Sequence, residues 1–216
     1  MMTPANPEDP KLHGRGSNSH ADRSGPAGKA DAAELARLVA AWFTPSALAG
    51  LLGAPADETQ RMAHECLARP AARTHATLAA RAFQACGGGE PTDDLRRTAV
   101  ALECFREARL IHRGIEAGRD APADKRGTPV ALNVGDLLIG EGCRLIAESN
   151  IPPARKVAML RAAAEASLAM TAGGDAAAAP RAAVRLGAMC AGAREEPAEL
   201  AGLLQEAESQ PDEPAA

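Results

Sequence analysis

A chain of 216 residues with a net charge of −4 and 46% hydrophobic residues has the length of one domain and enough apolar side chains for a core. Aromatic content of 2%, with no tyrosine, argues against a sheet and for closely packed Ala/Leu helices, since strands favour β-branched and aromatic residues. The mild acidity excludes a general nucleic-acid or anionic-membrane surface, no window is apolar for the length of a membrane span, and the start lacks an apolar leader region, so a soluble cytoplasmic chain is the expectation.

Residues 1–30 are rich in Pro, Gly, Ser and charge without periodic hydrophobics and read as a disordered tail. His13 and His20 lie there, too far apart for a metal site. A helical domain is expected over 31–208 and a second disordered tail over 209–216. Asp31 to Phe43 predicts a helix with Leu35, Leu38, Val39 and Trp42 inward. Thr44-Pro45 stops it and opens a short second helix. Ala56 to Leu67 is a third, with Met62, Cys66 and Leu67 inward and His64 on or near the surface. Pro70 opens a fourth, which ends at Gly87-Gly88-Gly89.

The central stretch runs from Ala99 to Gly142. Leu95, Ala99, Leu102, Phe105, Ala108, Ile111 and Ile115 recur at three- and four-residue steps and share one face of a long helix. Thr92 caps it, Asp93 and Asp94 match its dipole, and Gly118 stops it. A charged loop, GRDAPADKRGTP, leads to a helix that resumes at Val130. Pro152-Pro153 starts the next helix, Ala176 to Ala193 form another, and Glu195 to Glu208 a last amphipathic one. Cys66, Cys86, Cys104, Cys143 and Cys190 are odd in number and widely spaced; they read as buried free thiols rather than a disulfide or zinc framework.

The stretch LECFREARLIHRGIEAG resembles the segment around the first aspartate-rich motif of the trans-isoprenyl diphosphate synthases, the polyprenyl synthetase family. Leu102, Glu103, Ala108, Leu110, Ile111, His112 and Ile115 match its frame. Lys125, Arg126, Gly127 and Pro129 match the loop that follows, and Ala131, Gly135, Asp136, Leu137 and Leu138 the next helix. The resemblance covers about residues 45 to 208 and implies an all-α, isoprenoid-synthase-like antiparallel bundle of about eight helices, truncated at the C-terminus. The family binds magnesium through aspartates that fall here on Arg113, Gly114 and Ala117; its second aspartate-rich motif lies beyond the end of this sequence. Magnesium is hard and needs carboxylate oxygen, so no catalytic residue, metal ligand or cofactor is expected.

The cations that remain suggest another use. Arg106, Arg109 and Arg113 lie near one helix face, and arginine forks bind diphosphate without metal. The resemblance adds Arg73, Lys125 and Arg126 to this diphosphate-binding set. The plainer reading is an exposed charged face on which Glu103 and Glu107 pair with Arg106. Asp136 is an ion-pair candidate for an arginine across the helix interface. His112 reads as a satisfied helix histidine. The expected function is that of a degenerate polyprenyl synthetase homologue linked to isoprenoid biosynthesis, non-catalytic alone. The alternatives are a prenyltransferase chain active only with a second subunit, or a plain helical interaction module. Loss of the later helices would expose apolar faces, so a homo- or hetero-oligomer is expected, a full-length isoprenyl diphosphate synthase being one partner.

Overall fold

The computed structural model describes residues 31–118, 127–193 and 198–209, and every regular element among them is a helix. Their helices are α1 (Ala32–Ala41), α2 (Pro45–Leu52), α3 (Glu58–Ala68), α4 (Thr74–Ala85), α5 (Asp93–Glu116), α6 (Thr128–Ala147), α7 (Pro153–Gly173), α8 (Ala178–Cys190) and α9 (Ala201–Ser209). A single 3₁₀ turn, Ala198–Leu200, precedes α9. The expected tails, apart from Ser209, and the loop carrying Lys125 and Arg126 fall outside the described residues.

Local chemistry sets the boundaries. The side chains of Asp31, Thr44, Asp57 and Thr92 each accept from the backbone N–H three residues on, at 2.7, 3.3, 2.8 and 3.1 Å, and so cap α1, α2, α3 and α5. Gly174, with φ +68°, closes α7 in the left-handed region. The fourth helix differs from expectation. It begins at Thr74 rather than Pro70, because Arg73 is left-handed at φ 50°, a conformation that costs an L-residue roughly 1–2 kcal/mol. The buried partners of its side chain offset that cost.

The central layer is the α5–α6 pair. His112 stands against Gly135, Phe105 against Gly142, and Asp94 accepts from the Asn150 N–H at 2.7 Å. As numbers fall along α5 they rise along α6, so the two helices are antiparallel. A Cβ on Gly135 or Gly142 would enter the facing ring, so both glycines are needed for the close approach. On the other side α4 crosses α8 so tightly that a Cβ on Gly187 would overlap the backbone carbonyl of Ala79. Arg81 of α4 pairs with Glu206 of α9 at 2.5 Å.

The main core joins Leu35, Val39, Trp42 and Phe43 to Leu48, Leu67, Leu78, Leu95, Leu138, Leu145, Ile146, Met159 and Leu186. A small second cluster, Ala166, Ala178 and Ala182, lies between α7 and α8. No single helix among the described residues is long and apolar enough to cross a membrane. The bent pair α1–α2 passes that test jointly, but it is broken by 62° and its large apolar residues lie in the core. The cysteines are free, as expected, but not all buried: Cys66 and Cys104 are, Cys86 and Cys190 are half-buried, and Cys143 is exposed. The correction follows from α6, whose outward side carries Cys143 while Gly142 and Leu145 face inward.

Candidate functional site

The arginine face of α5 divides in two. Arg106 and Arg109 line a cleft of about 20 Å³ together with His75 of α4, Leu102 and Phe105 of α5, and Ser167 of α7. That volume holds about one water, so an isoprenoid tail enters only if α7 and α8 move apart. Arg113, one turn further on, is exposed. Burial, then the charges of Arg113 and Arg106, pull the Arg109 guanidinium down to about 10. It remains a cation at neutral pH, in a setting that favours an added anion.

His75 is 2% exposed, and burial pushes its imidazole down to about 4; Arg106 and Arg109 press the same way, against Glu103. It is therefore neutral at pH 7. The sequence reading passed over His75. Its place on the inward stripe of α4 with Leu78, Ala79 and Ala82 was the available signal.

Beside the cleft lies a buried charge network. Glu107 accepts from Arg69 Nη2 at 2.9 Å and from Arg106 Nη1 at 3.1 Å. Burial raises its carboxyl above the usual range, with Arg69 and Arg106 opposing. Glu103, wholly buried, accepts from the Ala76 N–H at 3.1 Å and faces Arg73 Nη1 at 3.9 Å. Arg73 donates from Nη2 to the carbonyls of Leu67 and Arg69, closing the end of α3. Its guanidinium also lies 4.3 Å from the centre of the Phe43 ring. Arg73, grouped by sequence with the diphosphate cations, is thus engaged by the fold, because the left-handed turn before α4 aims its side chain inward. Glu103 likewise serves Arg73 and α4 rather than the Arg106 partnership expected from helical spacing. Lys125 and Arg126 lie outside the described residues.

The arginine expected opposite Asp136 is replaced by His112, whose Nε2 is 3.5 Å from Asp136 Oδ1. The reason is register: His112 packs against Gly135, one residue before Asp136. Around the family's metal-binding positions, Arg113 and Ala117 are exposed and Gly114 is buried. Among the described residues no three His, Cys, Asp or Glu side chains stand close enough to hold a metal ion. This donor set does not suit magnesium.

No protein-family model and no curated protein matches the sequence. Among solved structures the chain is similar to a geranylgeranyl pyrophosphate synthetase from the archaeon Geoglobus acetivorans, with a TM-score of 0.63 and 19% identity. The match covers 75% of this chain and 62% of that chain. At that identity the likeness is one of fold: the all-helical architecture resembles that of the synthetase.

Proposed function

We propose that this chain is a non-catalytic relative of the isoprenyl diphosphate synthases that binds a diphosphate group directly, through guanidinium groups and without metal. The observation that carries the reading is the placement of Arg106, Arg109 and Arg113 along one side of α5, two of them lining the cleft that adjoins α4, α7 and α8. Planar guanidinium forks match phosphate oxygens and need no cation as intermediary. Catalysis in the family asks more: the leaving diphosphate must be stabilised as charge develops on it, which is the work of bound magnesium. Arg113, Gly114 and Ala117 offer magnesium no oxygen from their side chains. Binding without ionisation is the activity that this residue set supports. A cleft with room for about one water must open before a diphosphate reaches Arg106 and Arg109 inside it, whereas Arg113 is accessible at its side.

The test is thermal unfolding of the protein with inorganic diphosphate in the presence of EDTA. A ligand at a hundred times its Kd adds about 2.7 kcal/mol of stability, which raises Tm by several degrees. The expected result is such a rise, lost on Arg109→Gln, and no chain elongation when magnesium and allylic substrates are supplied. Absence of any rise at millimolar diphosphate overturns the binding reading. Turnover overturns the non-catalytic one, and turnover only after mixing with a full-length synthase favours a two-subunit enzyme.

A further inference from the structure

Beside the cleft, Glu107 serves two cations at once. Its Oε2 takes Arg69 Nη2 of α3, and its Oε1 takes Arg106 Nη1 of its own helix. The Glu107 side chain is only 5% exposed. Arg106 also lines the cleft. A cation offered to a ligand is thus already held by an anion of the protein. The two guanidinium groups are differently placed. Arg69 is 44% exposed, so water can solvate it whether or not Glu107 is charged. Arg106, at 11%, has little water to turn to, so Glu107 and an anion in the cleft compete for it.

We infer that Glu107 is a built-in competitor for the anion site: charged, it holds Arg106, and on taking up a proton it yields Arg106 to an incoming anion. The inference rests on the anion-binding reading above and assigns that site its control. An anion drawn into the cleft adds negative charge near a buried carboxylate, and the repulsion is relieved when the Glu107 carboxyl takes a proton from solvent. Capture is therefore coupled to proton uptake, and affinity rises as pH falls. Burial already holds the carboxyl above its usual range. The groups that bear on it are Arg69 and Cys66 of α3, Arg73 before α4, and Glu103, Cys104 and Arg106 of α5. Burial pushes both thiols up, so they stay neutral near pH 7, and the guanidinium groups keep their charge. Glu107 is left as the group whose proton decides what Arg106 holds.

Calorimetric titration with inorganic diphosphate in EDTA, from pH 8 to pH 5.5, reads the affinities of the wild type, Glu107→Gln, Arg106→Gln and the double variant. Glu107→Gln imitates the protonated carboxyl. At pH 8 it should bind about tenfold tighter than the wild type, the worth of one charge-assisted hydrogen bond. That ratio should shrink as pH falls. The ligand and His75 titrate in both proteins and divide out of it. With Arg106→Gln in place, Glu107→Gln should change little, because the competitor has lost what it competes for. Arg106→Gln leaves Glu107 its bond to Arg69, and the affinity it loses against the wild type should grow as pH falls. This arm tests the same claim if Glu107→Gln does not fold. A ratio near one, a ratio constant with pH, or a gain that survives Arg106→Gln overturns the inference and leaves the anion site standing. Binding by Glu107→Gln alone supports the inference while removing the site from the wild type. No binding by any of the four proteins overturns both.

Discussion

His75 is a polar side chain enclosed where only its neutral form is comfortable. Burial sets its folded value at about 4, against 6.5 for the unfolded chain. As pH falls through 6.5 the unfolded state takes up a proton that the folded state refuses, so stability declines until about pH 4 and then levels off. The whole penalty is on the order of 3 kcal/mol, and roughly 2 kcal/mol of it is present at pH 5. Urea unfolding at pH 7 and pH 5 should show that loss in the wild type and a smaller one in His75→Gln; equal losses would remove His75 as the cause. The triad Arg106, Arg109 and Arg113 was legible from spacing alone, because a helix fixes which residues share a side. His75, Glu103 and the inward turn of Arg73 were not, because the burial of a polar group depends on neighbours distant in sequence. Glu103 is an example: it sits on the inward stripe of α5, yet only the arrival of α4 supplies the Ala76 N–H it accepts.

At the scale of helices the close crossings are the sensitive points. Gly187 of α8 lies against the backbone of Ala79 in α4, where no side chain can step aside. Gly187→Ala should therefore destabilise the protein by about 1–3 kcal/mol, read as a lower Tm, despite the better helix propensity of alanine. A Tm at or above the wild-type value would mean that α4 and α8 separate without penalty. Helix starts were readable wherever a capping side chain announced them, as at Asp31, Thr44 and Thr92. The start of α4 was misread because Arg73 supplies no cap and its left-handed turn has no glycine to signal it. The last helix begins later than its apolar pattern suggests, after the 3₁₀ turn at Ala198–Leu200.

For the molecule as a whole, strength is unevenly distributed. α5 carries large buried side chains along its length, among them Leu95, Leu102 and Ile111, and is surrounded by α3, α4, α6 and α8. α7 buries mainly Met159, Ala163 and Ala166, and part of that surface belongs to the small second cluster. Small side chains remove little area from water, so α7 is held less firmly. Native-state hydrogen exchange in dilute solution should find the amides of α7 opening at a lower free energy than those of α5; equal protection would make the bundle a single cooperative unit. The all-helical class was evident from composition, but this gradient was not, since it depends on which neighbours, distant in sequence, each helix meets.

Trp42 closes α1, is 8% exposed and belongs to the main core; it is the chain's one tryptophan, and tyrosine is absent. The protein's long-wavelength ultraviolet emission therefore issues from a single sheltered indole. Its colour reports on water reaching the first helices, and lets their departure be timed without attaching a dye.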